Sequence, residues 1–299
     1  MKTRSWGFVW ILFFAVVAVS FGADKKFDKS FTVSGAGTLT IGTDVGSVKI
    51  VAGEGKVVKI MATVEGRDRD VERYEISAEQ IGSDVNVRGK LQKSGFWNNV
   101  ELNVQFVISV PKEFRASIGT SGGDIEVSGL AGPVKGETSG GDVRLTDISG
   151  SVEVETSGGS MHAEKVTGNV KMETSGGDVI VSNASGSVSA ETSGGNIRLS
   201  DISGNVHAET SGGNVSIKVR GPNQGIHAET SGGNIEIMIA KNAGAALDAG
   251  TSGGEVICDL PVTVSGRMRD SSIKGTVNGG GSLIYAHTSG GNVRIRGLD

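Results

Sequence analysis

Residues 138–155 read Thr-Ser-Gly-Gly-Asp-Val-Arg-Leu-Thr-Asp-Ile-Ser-Gly-Ser-Val-Glu-Val-Glu, and at Thr156 the same phrase begins again. Thr-Ser-Gly-Gly starts at Thr120, Thr138, Thr156, Thr174, Thr192, Thr210, Thr230, Thr251 and Thr288; the first six copies keep one constant spacing and the last three stand further apart. A fixed period of this kind marks a stacked-repeat architecture, in which each unit buries its apolar face only against its neighbours. Position six of the unit is apolar in every copy, from Ile125, Val143 and Met161 to Val256 and Val293. Position eight follows suit through Val127, Leu145, Ala163 and Val181 to Cys258 and Ile295. Residues two apart share one face of a β-strand, so these positions point inward.

The second half of the unit alternates again, as Val152 with Val154 or Val170 with Met172, and a further apolar site recurs at Leu130, Ile148, Val166 and Ile202. Each unit therefore reads as two short strands separated by two turns. One turn is the Gly-Gly pair, expected because glycine accepts positive φ; a second glycine site (Gly132, Gly150, Gly168, Gly186, Gly204) marks the other. A coiled solenoid and a meander of antiparallel hairpins both satisfy this alternation. The strict period and self-matching columns favour a β-solenoid, a right-handed β-helix of about 18 residues per coil. The fold class is all-β.

Composition agrees. The chain has 299 residues with 48 glycines, four prolines, one cysteine and a formal charge of −4. Collagen would need about one glycine in three with abundant proline, and a lone cysteine forms no internal disulfide framework. A mildly acidic chain without a basic stripe is a poor partner for nucleic acid.

Three segments follow. Lys2 and Arg4 precede an apolar run from Trp6 to Val19, and Ser20 and Gly22 flank Phe21, which predicts a cleaved signal peptide over residues 1–22. An uncleaved anchor is the competing reading, since Ser5 to Ala23 carries no charge. No later stretch is long and apolar enough to span a membrane. Residues 23–119 lack Thr-Ser-Gly-Gly yet alternate at Thr38–Ile41, Ser47–Val51, Val57–Val64 and Val100–Val110, which predicts a β-rich cap covering the open strand edges of a solenoid formed by residues 120–299. Asp68–Arg73 reads as a short helix or exposed turn, and the irregular Leu260–Tyr285 as a bulge near the other end.

Gly37-Thr-Leu-Thr-Ile41, Val107-Ile-Ser-Val-Pro111 and the reiterated Thr-Ser-Gly-Gly-Asp/Asn-Ile/Val units resemble a bacterial β-strand-repeat family labelled "putative adhesin", of unknown function. The resemblance covers essentially all of the chain after residue 22 and rests on structural motifs. It implies an exported β-helical protein, similar to the head domains of some surface proteins, with no established catalytic residue set.

Few residues point to chemistry. Gly119–Gly123 and Gly250–Gly254 match the G-x-S-x-G elbow of hydrolases, but the same serine recurs in nine equivalent turns, so it reads as a turn residue and no catalytic residue is assigned. His207 and His227 precede Ala-Glu-Thr in successive units. Tetrahedral zinc sites usually need three or four ligands, so this pair is read as exposed and metal-free, and His162 and His287 as isolated. Glu137, Glu155, Glu173, Glu191, Glu209 and Glu229 form an acidic column that calcium could neutralise, although the calcium-binding nonapeptide is absent. Cys258 occupies an inward position as a small hydrophobe. No cofactor is expected. The chain is expected to be exported (periplasmic, outer-surface or secreted) and to act as an adhesin-like module for a surface glycan or protein. A polysaccharide-processing enzyme and a passive envelope scaffold are the alternatives; after Phe114 the sole aromatic is Tyr285, which offers little platform for sugars.

Overall fold

A computed structural model describes residues 24–92, 100–264 and 269–298. The leader expected over residues 1–22 lies outside the described residues. The chain forms two long, largely parallel sheets of 13 and 14 strands. Successive units place one strand in each. In the 14-stranded sheet Val134 pairs with Val152, Val152 with Val170 and Val170 with Val188, so parallel partners are equivalent residues of successive units. In the 13-stranded sheet Val143 pairs with Met161 and Met161 with Val179. The inward positions of both sheets merge into one core; Leu145, Ile148, Ala163, Met172 and Val181 have no exposed surface. Each large aliphatic side chain buried this way contributes about 1.5–3 kcal/mol.

The Gly-Gly turns correct one expectation. None of these glycines has a left-handed φ. The second glycine is required because the turns stack: a Cβ on Gly141 would lie 2.1 Å from the Gly123 carbonyl oxygen, and one on Gly195 2.0 Å from that of Gly177. Gly150, Gly168, Gly186 and Gly204, in the opposite turn, meet the preceding glycine's carbonyl at 2.3–2.4 Å. The left-handed residue of the repeat lies elsewhere, at Gly129 (φ 75°), Asp147 (56°), Lys165 (57°), Asn183 (55°) and Asp201 (58°).

The ends do not follow chain order. The strands Leu283–Thr288 and Val293–Leu298, last in sequence, are inserted between the strands Ile226–Thr230 and Ile235–Ala240 on one side and Ala245–Thr251 and Val256–Cys258 on the other. The segment expected to bulge instead continues the 14-stranded sheet: Ser272–Val277 pairs antiparallel with both Ala245–Thr251 and Val262–Val264. At the opposite end Thr38–Thr43 lies between Arg115–Thr120 and Asp84–Leu91, and Ser47–Gly53 between Ile125–Ser128 and Leu102–Pro111. Arg115–Thr120, at the expected boundary between cap and repeat, thus pairs with strands on both sides of it.

The N-terminal end is closed by side chains as well as strands. Asp24–Thr32 forms one sheet's edge and carries Lys25, Lys26 and Lys29, charges that discourage edge-to-edge pairing. Lys25 Nζ donates to the Tyr74 carbonyl (2.8 Å) and Lys29 Nζ to that of Ala78 (2.6 Å), which ties this edge to Tyr74–Ile81, the edge of the other sheet. Asp68–Glu72 forms a short helix whose Asp70 is fully buried between Arg69 and Arg73. Among the described residues no helix is long and apolar enough to cross a membrane.

Candidate functional site

Strands such as Val152–Thr156 and Val206–Thr210 bury their first, third and fifth residues and present the second and fourth outward. Parallel in-register pairing turns those outward positions into columns. Glu137, Glu155, Glu173, Glu191, Glu209 and Glu229 stand side by side, each paired with the next, and His287 follows Glu229. The parallel column runs Lys135, Glu153, Lys171, Ser189, His207, His227, Tyr285 and Asp248. All six residues of the acidic column are therefore brought together on one flat face.

Like charges ~4.8 Å apart in water repel by about 0.9 kcal/mol per neighbour. Lysines offset this in the first half: Lys171 Nζ lies 2.6 Å from Glu173 Oε1, and that hydrogen bond, with the surrounding glutamates, holds its ammonium above the ordinary lysine range. In the second half imidazoles take the lysine positions. His207 Nε2 lies 3.2 Å from Glu209 Oε1 and 3.8 Å from Glu191, and His227 Nε2 lies 3.3 Å from Glu209 and 3.5 Å from Glu229.

The rings of His207, His227 and Tyr285 stack along their column, and His287 stacks on Tyr285 from the glutamate column. Centroids are 4.9 Å apart for His207 and His227, 4.8 Å for His227 and Tyr285, and 4.3 Å for Tyr285 and His287. His287 Nε2 also meets Asp248 Oδ1 at 3.2 Å, and the Lys274 hydrogen bond to Asp248 (2.7 Å) does most to hold that carboxyl below its usual range. Burial, then the charge of Glu229, pushes the Tyr285 phenol up. The glutamate column and the Thr-Ser edge of the turns line a polar groove of about 590 Å³ running from Glu155 to Ser289.

Two hydrogen-bond ladders fix this edge. All but Thr251 of the repeat threonines are buried, as their parity in the repeat requires, and from Thr138 onward each donates Oγ1 to the second-glycine carbonyl of the adjacent turn: Thr138 to Gly123 (2.9 Å), Thr192 to Gly177 (2.9 Å) and Thr288 to Gly233 (2.8 Å). The column extends into the N-terminal region, where Thr43 pairs with Thr120 and shares a 2.5 Å hydrogen bond with the Tyr74 hydroxyl. Burial pushes the Tyr74 pKa up to about 12. The second ladder goes beyond the sequence expectations. The Asp142 amide donates to Asp124 Oδ1 (2.9 Å), that of Asn196 to Asp178 (2.7 Å), and those of Asn214 and Asn234 to the preceding asparagine. Its sequence signal is the short oxygen-bearing side chain (Asp, Asn or Ser) after every Thr-Ser-Gly-Gly but the one before Glu255.

The other candidates separate. Ser121 and Ser252 sit in exposed strand–turn–strand corners, whereas the hydrolase elbow needs a strand-to-helix turn. His162 lies on the other sheet between Arg144 and Ile180. Cys258 packs against the core on an edge strand, half-buried, with its thiol pushed up by burial. His207, Glu209 and His227 offer one ligand atom each, all within 4.8 Å of one another.

The Toastrack DUF4097 family model matches residues 38–296, which takes in both the N-terminal strands and the repeats. The chain belongs to that family. Solved structures similar to this Toastrack chain include a putative lipid binding protein from Parabacteroides distasonis ATCC 8503, 14% identical, covering 92% of this chain and 97% of that one with a TM-score of 0.46. A putative adhesin from Bacteroides fragilis NCTC 9343 has the same identity and coverage and a TM-score of 0.42. A putative cell adhesion protein from Clostridium sporogenes ATCC 15579 is also 14% identical, covering 92% and 100% of the two chains with a TM-score of 0.24. No curated protein matches the sequence.

Proposed function

We propose that this Toastrack chain is an exported, non-catalytic, adhesin-like module of the bacterial envelope or surface, whose 14-stranded sheet contacts an extended surface glycan or protein. The observation that carries this reading is the uninterrupted pair of polar columns beside a groove of about 590 Å³. The glutamate column repeats one group at ~4.8 Å intervals, and the column beside it supplies varied polar groups at the same spacing. It suits a long partner held by many weak contacts in register. Residues 23–119 serve as the cap and 120–299 as the solenoid in this reading. The coil is right-handed with about 18 residues, in line with the ~98% preference of parallel crossover connections.

Glycan arrays and pull-downs with the full chain, with wall polysaccharides included, test the function. Specific retention that is lost when Glu155, Glu173 and Glu191 are replaced by glutamine supports it. Release of shortened polysaccharide would make the protein an enzyme, and neither retention nor release would make it a scaffold.

A further inference from the structure

We propose that His207, Glu209 and His227 form a binding site for a divalent transition-metal ion of the zinc, copper or nickel class. The site does not depend on the adhesin-like reading. Its frame is the backbone: His207 and His227 are direct partners on neighbouring parallel strands, and Glu209 follows His207 by two positions and so faces the same side. The phrase His-Ala-Glu, repeated at 207–209 and 227–229, thus places two imidazoles and two carboxylates at adjacent corners of the sheet's lattice.

The distances suit a metal. Bonds of about 2.0–2.2 Å to nitrogen and oxygen arranged tetrahedrally put neighbouring ligand atoms ~3.4 Å apart. Glu209 Oε1 already lies 3.2 Å from His207 Nε2 and 3.3 Å from His227 Nε2. One separation remains to close, that between the imidazoles, and all three ligand atoms fall within 4.8 Å. The three side chains are only partly buried, so an ion can enter from solvent, and the stacked His207 and His227 rings must turn out of their 28° stack to aim both nitrogens at it. Glu191, 3.8 Å from His207, and Glu229, 3.5 Å from His227, flank the ligands; each can supply a fourth donor or hold a metal-bound water. Stacking on Tyr285 orients the His227 ring.

The donor set decides the class of ion. Two imidazole nitrogens and one carboxylate favour zinc, copper or nickel, whereas calcium asks for six to eight oxygens. Glu137, Glu155 and Glu173 have lysine, glutamate or serine rather than imidazole beside them in the parallel column and compose no comparable site. His287 is engaged with Asp248 instead, and His162 lies on the opposite sheet.

The test is zinc titration of the tag-free, metal-stripped full chain by calorimetry, with cobalt(II) absorption as a second readout. The expected result is one saturable equivalent, undisturbed by millimolar calcium. His207→Ala, His227→Ala and Glu209→Gln should each weaken it by roughly tenfold or more, with His162→Ala at the parent affinity. Metal-free melting midpoints of the variants separate lost binding from lost folding, and His207→Gln and His227→Gln replace any alanine variant that does not fold. The absence of saturable zinc binding would overturn the proposal. So would parent-like affinity in all three ligand variants, or an equal loss in His162→Ala.

Discussion

The two glycines of one turn should respond oppositely to the same added methyl group. A Cβ on Gly177 would stand 2.1 Å from the Gly159 carbonyl oxygen and 2.6 Å from the Ser160 nitrogen, both backbone atoms. A Cβ on Gly176 would meet the Gly158 oxygen at 3.4 Å and its Cα at 3.7 Å, which is ordinary contact. Gly177→Ala must therefore push the stacked turns apart by ~1 Å, enough to end hydrogen bonds of normal length. The bonds at risk are Thr192 Oγ1 to the Gly177 carbonyl (2.9 Å), Thr174 Oγ1 to that of Gly159 (2.9 Å) and the Asp178 amide to Ser160 Oγ (3.3 Å). Two or three such bonds at ~1 kcal/mol, with ~1–3 kcal/mol of overpacking strain, amount to a loss of about 3–6 kcal/mol. Gly176→Ala meets no such obstacle, and a stiffer unfolded chain makes it neutral or up to ~1 kcal/mol stabilising. Urea and thermal melts followed by far-UV circular dichroism measure both. At ~2–4 °C per kcal/mol, Gly177→Ala should melt at least ~6 °C below the parent. Equal destabilisation by the two variants would refute the close-approach argument and restore a conformational role for the whole pair.

Other outcomes follow from the same stacking. Thr192→Val keeps the side-chain shape but leaves the Gly177 carbonyl and the Gly195 amide without the hydroxyl (2.9 and 3.2 Å), so denaturant melts should show a loss of about 1–3 kcal/mol. Lys165→Asn places a residue that tolerates left-handed backbone at φ 57° and should raise the melting midpoint by about 1–3 °C. Tyr74 links stability to alkaline pH. Its folded pKa of about 12 exceeds the ordinary 10, so its contribution is complete below pH 10 and is lost as pH rises through 12. Two pKa units correspond to about 2.7 kcal/mol, and melts from pH 9 to 12 should show a loss of that order in the parent and not in Tyr74→Phe.

Much of this architecture was legible because in-register parallel stacking makes a one-dimensional repeat into a surface. The inward columns, the buried threonines and the glutamate column follow from the constant repeat period and the two-residue alternation of strands. Chain order at the ends was not legible. Thr288 neighbours Thr230 and Thr251 lies beyond it, because pairing at a sheet edge is non-local and longer connections add little closure cost. For that reason Tyr285 and His287, far along the chain from His227 and Glu229, could not be placed beside them from spacing alone. The glycines were identified correctly but for the wrong cause: composition does not distinguish a left-handed residue from one that a neighbouring carbonyl approaches. Glu209 stands two positions after His207, yet its place between both imidazoles depends on a register that two equivalent histidines only suggest.

The claim underlying all of this is that each unit contributes one strand to each sheet, so that equivalent residues of successive units are nearest neighbours. Spin labels at Glu137→Cys and Glu229→Cys, in a chain carrying Cys258→Ser, measure it directly by double electron–electron resonance. Stacked units put five strand spacings between these positions, a backbone separation of ~24 Å. A meander of hairpins would lay two strands of the same sheet down per unit, and a separation of about 48 Å would contradict the account.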